Sequence, residues 1–248
     1  MRALLLLLVL SGASEFDMLS AQLHLETGNA FLQQGLLEQA EQEFRLALDA
    51  GVDCHEALLG LGKIYRACSS ADRASEYFTE FITASPDDYR GYYEMASMML
   101  ETGRADSAVF MADSAFLRAP TNPDIWLLSG RAAIASGDTT GAERWYTRCL
   151  SDPGSAGLQS LILLGTLYRA TDRSVESREL LLPASQAGYA PACWGLAMVY
   201  LSWNDYMRTV DSIQRYLALD PEGVYADSAI MVLESLAESG EYIVPDWN

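Results

Sequence analysis

Ala40, Ala74, Ala108 and Ala142 stand 34 residues apart, three times in succession. A recurrence of that length constrains a chain of 248 residues more than any single motif does. It means that one small supersecondary unit is copied, and that each copy buries its apolar face against the next. A second column keeps the register at Gly28, Gly62, Ala96 and Gly130, and continues less strictly through Gly165 and Ala197. Three residues on from it come Phe31, Tyr65, Met99, Ala133, Tyr168 and Tyr200. Four residues after the alanines come Phe44, Phe78, Ala112 and Tyr146, then Leu181 and Ile213 in the looser units. Pro86, Pro120 and Pro221 close units, with Pro153 one place early.

These columns describe packed helical hairpins. Within each unit the apolar residues recur at intervals of three and four, the mark of amphipathic helices. A glycine inside a helix costs about 1 kcal/mol relative to alanine. Its return at one register therefore predicts a neighbouring helix that passes too close for a larger side chain. The alanine column carries the same argument for the second helix of each unit, and the aromatics fill the space that the small residues leave. Proline ends the units because it lacks a backbone donor and disfavours helix in the residue before it. No valine- or isoleucine-rich alternation and no Asn-Gly hairpin turn competes with this reading.

The columns resemble the tetratricopeptide repeat. The resemblance covers Ala21 to Pro221 as six units, about 21–54, 55–88, 89–122, 123–157, 158–189 and 190–221, within a repeat region placed at 14–221. It implies an all-α fold, a right-handed α-solenoid of antiparallel helix pairs. The first four units follow the pattern closely. The last two depart from it: their spacing slips by a residue or two, and Pro183 interrupts a second helix, which it is expected to kink or shorten. Val224 to Ser239, within 222–239, reads as one further amphipathic helix that covers the end of the stack. Residues 240–248 form a tail, apolar and aromatic from Tyr242 to Asn248.

At the other end, Met1-Arg2 is followed by Ala3 to Leu10 without a polar side chain, then by Ser11-Gly12-Ala13. That pattern predicts a secretory signal peptide at 1–13, cut after Ala13. The apolar run falls well short of the roughly 20 residues that span a bilayer, and no cysteine follows it for lipid attachment. The expectation is an exported protein, periplasmic or extracellular, with an uncleaved membrane anchor as the alternative. Thirty-four acidic against 16 basic side chains, with Lys63 the single lysine, give a net charge of −18. Such a chain is no general nucleic-acid binder, because phosphate neutralisation needs surplus Lys and Arg. The acidity fits solubility, or attraction to a basic partner.

Nothing in the sequence points to catalysis. It contains no G-x-S-x-G, no P-loop, no H-E-x-x-H and no dinucleotide fingerprint. The expectation is a non-enzyme without cofactor or metal. Cys54 and Cys68 fall at opposite ends of one helix, roughly 20 Å apart at about 1.5 Å per residue, too far for a disulfide. Cys149 and Cys193 lie on different repeats, so four unpaired, mostly buried thiols are expected. Their spacing carries no zinc signature, and His24 and His55 do not supply one. His24 reads as a packing residue; His55 opens a helix, facing solvent or bonding locally. Asp87, Asp88 and Asp124 suit helix starts. Trp126, Trp145, Tyr146 and Tyr168 read as core. Trp203 and Trp247 remain as partner anchors, and the tail as a plug for the chain's own groove.

The resemblance implies that the first helix of each unit lines an inner groove. The residues just after the glycine column are Asn29, Lys63, Ser97, Arg131, Thr166 and Met198. Three further on, nearly one turn along the same face, come Leu32, Arg66, Leu100, Ile134, Arg169 and Leu201. Of these twelve, four are basic and none is acidic. Tyr93 and Trp194 sit a turn earlier. The candidate peptide-binding groove is therefore Asn29, Lys63, Arg66, Tyr93, Ser97, Arg131, Thr166, Arg169 and Trp194. Two readings stay open. In one, the cations pair with acids on neighbouring helices. In the other they form a strip that grips carboxylates of an extended or C-terminal peptide through forked Arg donors. The expected function is an exported interaction scaffold for a protein or peptide with acidic groups or a free C-terminus. The alternative is a structural or assembly component of a membrane-associated envelope complex.

Overall fold

The computed structural model describes residues 15–50 and 54–240. The leader at 1–13, the tail from Tyr242 and Trp247 lie outside the described residues. Every regular element among those residues is an α-helix. Contacts divide the chain into two compact units, the first ending at Gly137 and the second beginning at Asp138.

The first unit holds α1 (Glu15–Gln33), α2 (Leu37–Asp49), α3 (His55–Ala67), α4 (Ala71–Ala84), α5 (Tyr89–Glu101), α6 (Ala105–Arg118) and α7 (Pro123–Ser136). Helices α1 and α2, α3 and α4, and α5 and α6 pack as pairs. Each second helix also leans on the first helix of the next pair, and α1, α3, α5 and α7 touch in succession. The second unit holds α8 (Thr139–Cys149), α9 (Ser155–Ala170), α10 (Ser174–Gln186), α11 (Ala190–Ser202), α12 (Tyr206–Leu219) and α13 (Ala226–Glu238). There α9 pairs with α10 and α11 with α12, while α8 packs on α9 and α13 on α12. Each unit thus has solenoid connectivity, in which neighbours bury one another and a single row of first helices is left as a continuous surface.

The small-residue column works as its physics requires. A Cβ at Gly28 comes within 2.8 Å of the Phe44 ring, and one at Gly62 collides with the Phe78 ring. At Gly165 it meets Leu181 at 3.0 Å. Ala40, Ala74, Ala108 and Ala142 are all fully buried. Asp88 caps α5 by accepting the Arg90 N–H at 2.9 Å. At α7 the cap is Asn122, which accepts the Asp124 N–H at 3.0 Å, so Asp124 sits inside the first turn, where its charge meets the helix dipole. Helix α10 runs through Pro183 to Gln186 and is not cut short. The proline lies on its exposed side, as does Glu179, the residue whose carbonyl loses its helical donor.

A further column lies in the turns. Gly35, Ser69, Gly103, Gly137, Asp172 and Asn204 all have positive φ, between 57° and 86°. In five of these turns the next N–H returns to the carbonyl of the aromatic column, as in Ser70 to Tyr65 (2.8 Å) and Arg173 to Tyr168 (2.7 Å). This is the Schellman ending of a helix, whose left-handed residue favours glycine. Ser69 holds φ 57° with a side chain, which costs about 1 kcal/mol. Ser69→Gly is therefore expected to raise stability by about that amount, read as a higher urea midpoint with an unchanged slope.

Candidate functional site

In the first unit, three successive first helices enclose a cleft of about 480 Å³. Arg66 enters it from α3, Tyr93, Glu94, Ser97 and Glu101 from α5, and Leu128 and Arg131 from α7. Tyr93, Ser97 and Glu101 fall four apart, which sets them on one face of α5.

Its electrostatics differ from a plain cationic strip. Glu94 is only 8% exposed. One of its oxygens takes the Lys63 ammonium at 3.3 Å and the other takes the Arg66 guanidinium. Arg66 Nε also lies 3.8 Å from Glu101. Two of the four basic side chains thus meet acids on a neighbouring helix. Arg131 differs: it is exposed at the cleft and, among the described residues, has no ion-pair partner. Burial first, and then the charges of Asp124 and Glu94, push the Tyr93 phenol above its ordinary value. It therefore remains a protonated donor at neutral pH.

The second unit has its own cleft of about 220 Å³. Thr166 and Arg169 reach it from α9, Trp194 and Met198 from α11, and Tyr225 from the turn before α13. The Trp194 ring stacks on Tyr225 at 5.5 Å and 13°. Of the nine residues singled out from sequence, Arg66, Tyr93, Ser97 and Arg131 therefore line the first cleft, and Thr166, Arg169 and Trp194 the second. Lys63 is held beside the first by Glu94, while Asn29 is exposed on α1 and lines neither. Sequence reasoning missed Glu94 and Tyr225. Glu94 lies two places before the small-residue column, a register shared with Glu26.

The remaining candidates have local partners. His24 Nδ1 lies 2.6 Å from Glu43, and His55 Nδ1 lies 3.0 Å from Ser85 Oγ. Cys54, Cys149 and Cys193 are buried and Cys68 is exposed. Among the described residues no cluster of His, Cys, Asp and Glu suits a metal ion, and no helix is long and apolar enough to cross a membrane.

The sequence profile of the tetratricopeptide repeat matches residues 25–89 and 93–156, just over half of the chain. This chain belongs to the tetratricopeptide repeat family. Tetratricopeptide folds are protein–protein interaction scaffolds and generally non-enzymatic. Cellulose synthase 2 operon protein C of Komagataeibacter xylinus is 28% identical over 242 residues, a match that takes 88% of this chain and 18% of that much longer protein. PilF of Pseudomonas aeruginosa superimposes with a TM-score of 0.69 at 14% identity, covering 88% of this tetratricopeptide chain and 100% of PilF. YrrB, a tetratricopeptide protein with an unusual peptide-binding site, gives a TM-score of 0.55 at 12% identity, over 76% of this chain and 97% of its own. At these identities the two structures share the fold.

Proposed function

We propose that this tetratricopeptide protein holds an extended segment of a partner protein in the cleft of its first unit, with Arg131 receiving a partner carboxylate. The observation that carries the reading is the contrast between the cations. Lys63 and Arg66 are already compensated by Glu94, whereas Arg131 faces the same cleft without an ion pair among the described residues. A guanidinium offers forked donors that match a carboxylate. The Tyr93 phenol and the Ser97 hydroxyl add polar contacts beside it. The cleft's volume falls within the usual range of binding pockets, about 300–1,000 Å³. The peptide-binding site of YrrB supports the use of this fold for such a ligand.

The apolar leader at Ala3 to Leu10 supports an exported setting, which cell fractionation with N-terminal mass spectrometry tests. A structural role in a larger assembly is the second reading. Phe110 and Leu117, seven residues apart on α6, are 67% and 78% exposed and offer an apolar docking face.

One experiment separates the two. The chain without residues 1–13 is used as bait in an envelope extract, beside Arg131→Glu and Phe110→Ser/Leu117→Ser. Arg131→Glu is expected to weaken capture of the partner by about tenfold or more, the worth of a hydrogen-bonded charge, with helicity unchanged. High salt is expected to weaken the same complex. Loss only in the Phe110/Leu117 variant rejects the cleft in favour of the assembly reading.

A further inference from the structure

We infer that the cleft of the second unit is a separate subsite for a large apolar side chain followed, about two residues on, by an acidic one. This rests on the reading that the chain holds extended peptides, and adds what such a peptide must carry.

The wall of the subsite is built in advance. Trp194 is half-buried and backed by two tyrosines, stacked on Tyr225 and tilted against Tyr216 with centroids 6.3 Å apart. Tyr225 is itself fixed, since its N–H donates to the Tyr216 hydroxyl at 2.9 Å. A ring held this way loses little freedom when a ligand packs on it, so contact area converts efficiently into affinity. The floor is apolar. Gly165 and Gly195 both abut Leu181, and a Cβ on either comes within 3.0 Å and 2.8 Å of it respectively. Two helices thus close on one buried leucine, beside which Ile162 and Met198 complete the apolar lining.

Size and charge narrow the ligand. About 220 Å³ lies below the usual range for a whole small molecule, roughly 300 Å³ and upward. It suits one large side chain. Arg169 lines the same cleft, is exposed, and has no ion pair among the described residues. In a chain of net charge −18, a cation left uncompensated beside an apolar cavity calls for an external anion. Arg169 lies one turn along α9 from Gly165, about 6 Å at 1.5 Å per residue. An extended peptide covers that distance in about two residues at roughly 3.3 Å each. A terminal carboxylate sits on the same residue as its side chain and does not span it. The favoured ligand is therefore an internal pair, apolar then acidic, and not an apolar residue at the chain end itself.

The test uses the whole 15N-labelled chain and follows the indole N–H resonance of Trp194, assigned by triple-resonance experiments. The probe is an acetylated and amidated Gly/Ser decapeptide that contains Phe-Ser-Asp. It is expected to move the Trp194 resonance to saturation at submillimolar concentration. Phe-Ser-Asn in the same peptide, or Arg169→Gln in the protein, is expected to weaken binding about tenfold, and Ala-Ser-Asp to abolish it. Thr166→Trp, at an exposed position on the cleft, is expected to block it without disturbing the core. Arg131→Glu is expected to leave the response unchanged, so a failure of the first-unit cleft is distinguishable from a failure here. An unmoved Trp194 resonance, or equal binding of the Asp and Asn peptides, overturns the inference. Tighter binding of a peptide ending in Phe with a free carboxylate overturns the internal pair.

Discussion

Phe44→Ala is expected to destabilise the first unit by about 3–5 kcal/mol, at the upper end of core truncations. Phe44 is fully buried and packs between two glycines of successive repeats. A Cβ at Gly28 comes within 2.8 Å of the ring and one at Gly60 within 2.5 Å. Because neither flanking position carries a side chain, the two residues in closest contact with the ring cannot fill the space it leaves. Most of the cavity cost is therefore felt. At about 1.4 kcal/mol per factor of ten, amide exchange from α1 to α4 is expected to accelerate by two to three orders of magnitude. Local opening of this kind is typical of repeat stacks, where each unit leans chiefly on its neighbours. A urea midpoint within error of the parent chain would show that the ring is no wedge.

Glu94→Gln is expected to raise affinity for an acidic peptide by roughly 10- to 100-fold, the equivalent of one charge-assisted hydrogen bond of about 1.5–3 kcal/mol. Glutamine keeps the volume and the packing of Glu94 but gives up the charge that holds Lys63 and Arg66. Both cations then face the cleft together with Arg131. Fluorescence anisotropy with a labelled peptide of alternating Asp and Gly measures the change, and a neutral Asn-Gly peptide serves as reference. Equal gains for both peptides would point to a loosened cleft and not to released charge. If the acidic peptide gains nothing, the cleft does not read charge through these residues.

The helical hairpins were legible because their signal is carried by residue size. Gly28, Gly62 and Gly165 are small where Phe44, Phe78 and Leu181 press against them, and a steric requirement of that kind leaves the same residue type at each return. The left-handed turns were hidden for the opposite reason. Ser69, Asp172 and Asn204 adopt the conformation without being glycine, so the chemistry of the column is mixed although its geometry is uniform. The cleft's charge was half legible. Lys63, Arg66 and Arg131 lie on columns that a repeat count finds, but Glu94 meets the first two only through the contact between α3 and α5. A column-by-column reading examines one register at a time and passes over such diagonal pairs. Pro183 shows that a local rule yields on the exposed side of a helix. Tyr225 comes from the turn before α13, outside any repeat, so periodicity could not bring it next to Trp194.

The uniform geometry of those turns bears on how such a chain changes length. Six turns within helix pairs pass through a left-handed residue, and in five of them the next N–H bonds back to the same carbonyl position. A segment excised or duplicated between two of these residues begins and ends in identical backbone states, so the joint closes without any new turn having to be invented. Growth by whole cassettes then adds one inner helix at a time, about 8–10 Å of surface at the usual helix spacing. Charge does not travel so freely: a cut between Arg66 and Glu94 separates an ion pair that no single cassette contains. Recombination among these genes can thus conserve architecture while it reassigns what the surface attracts.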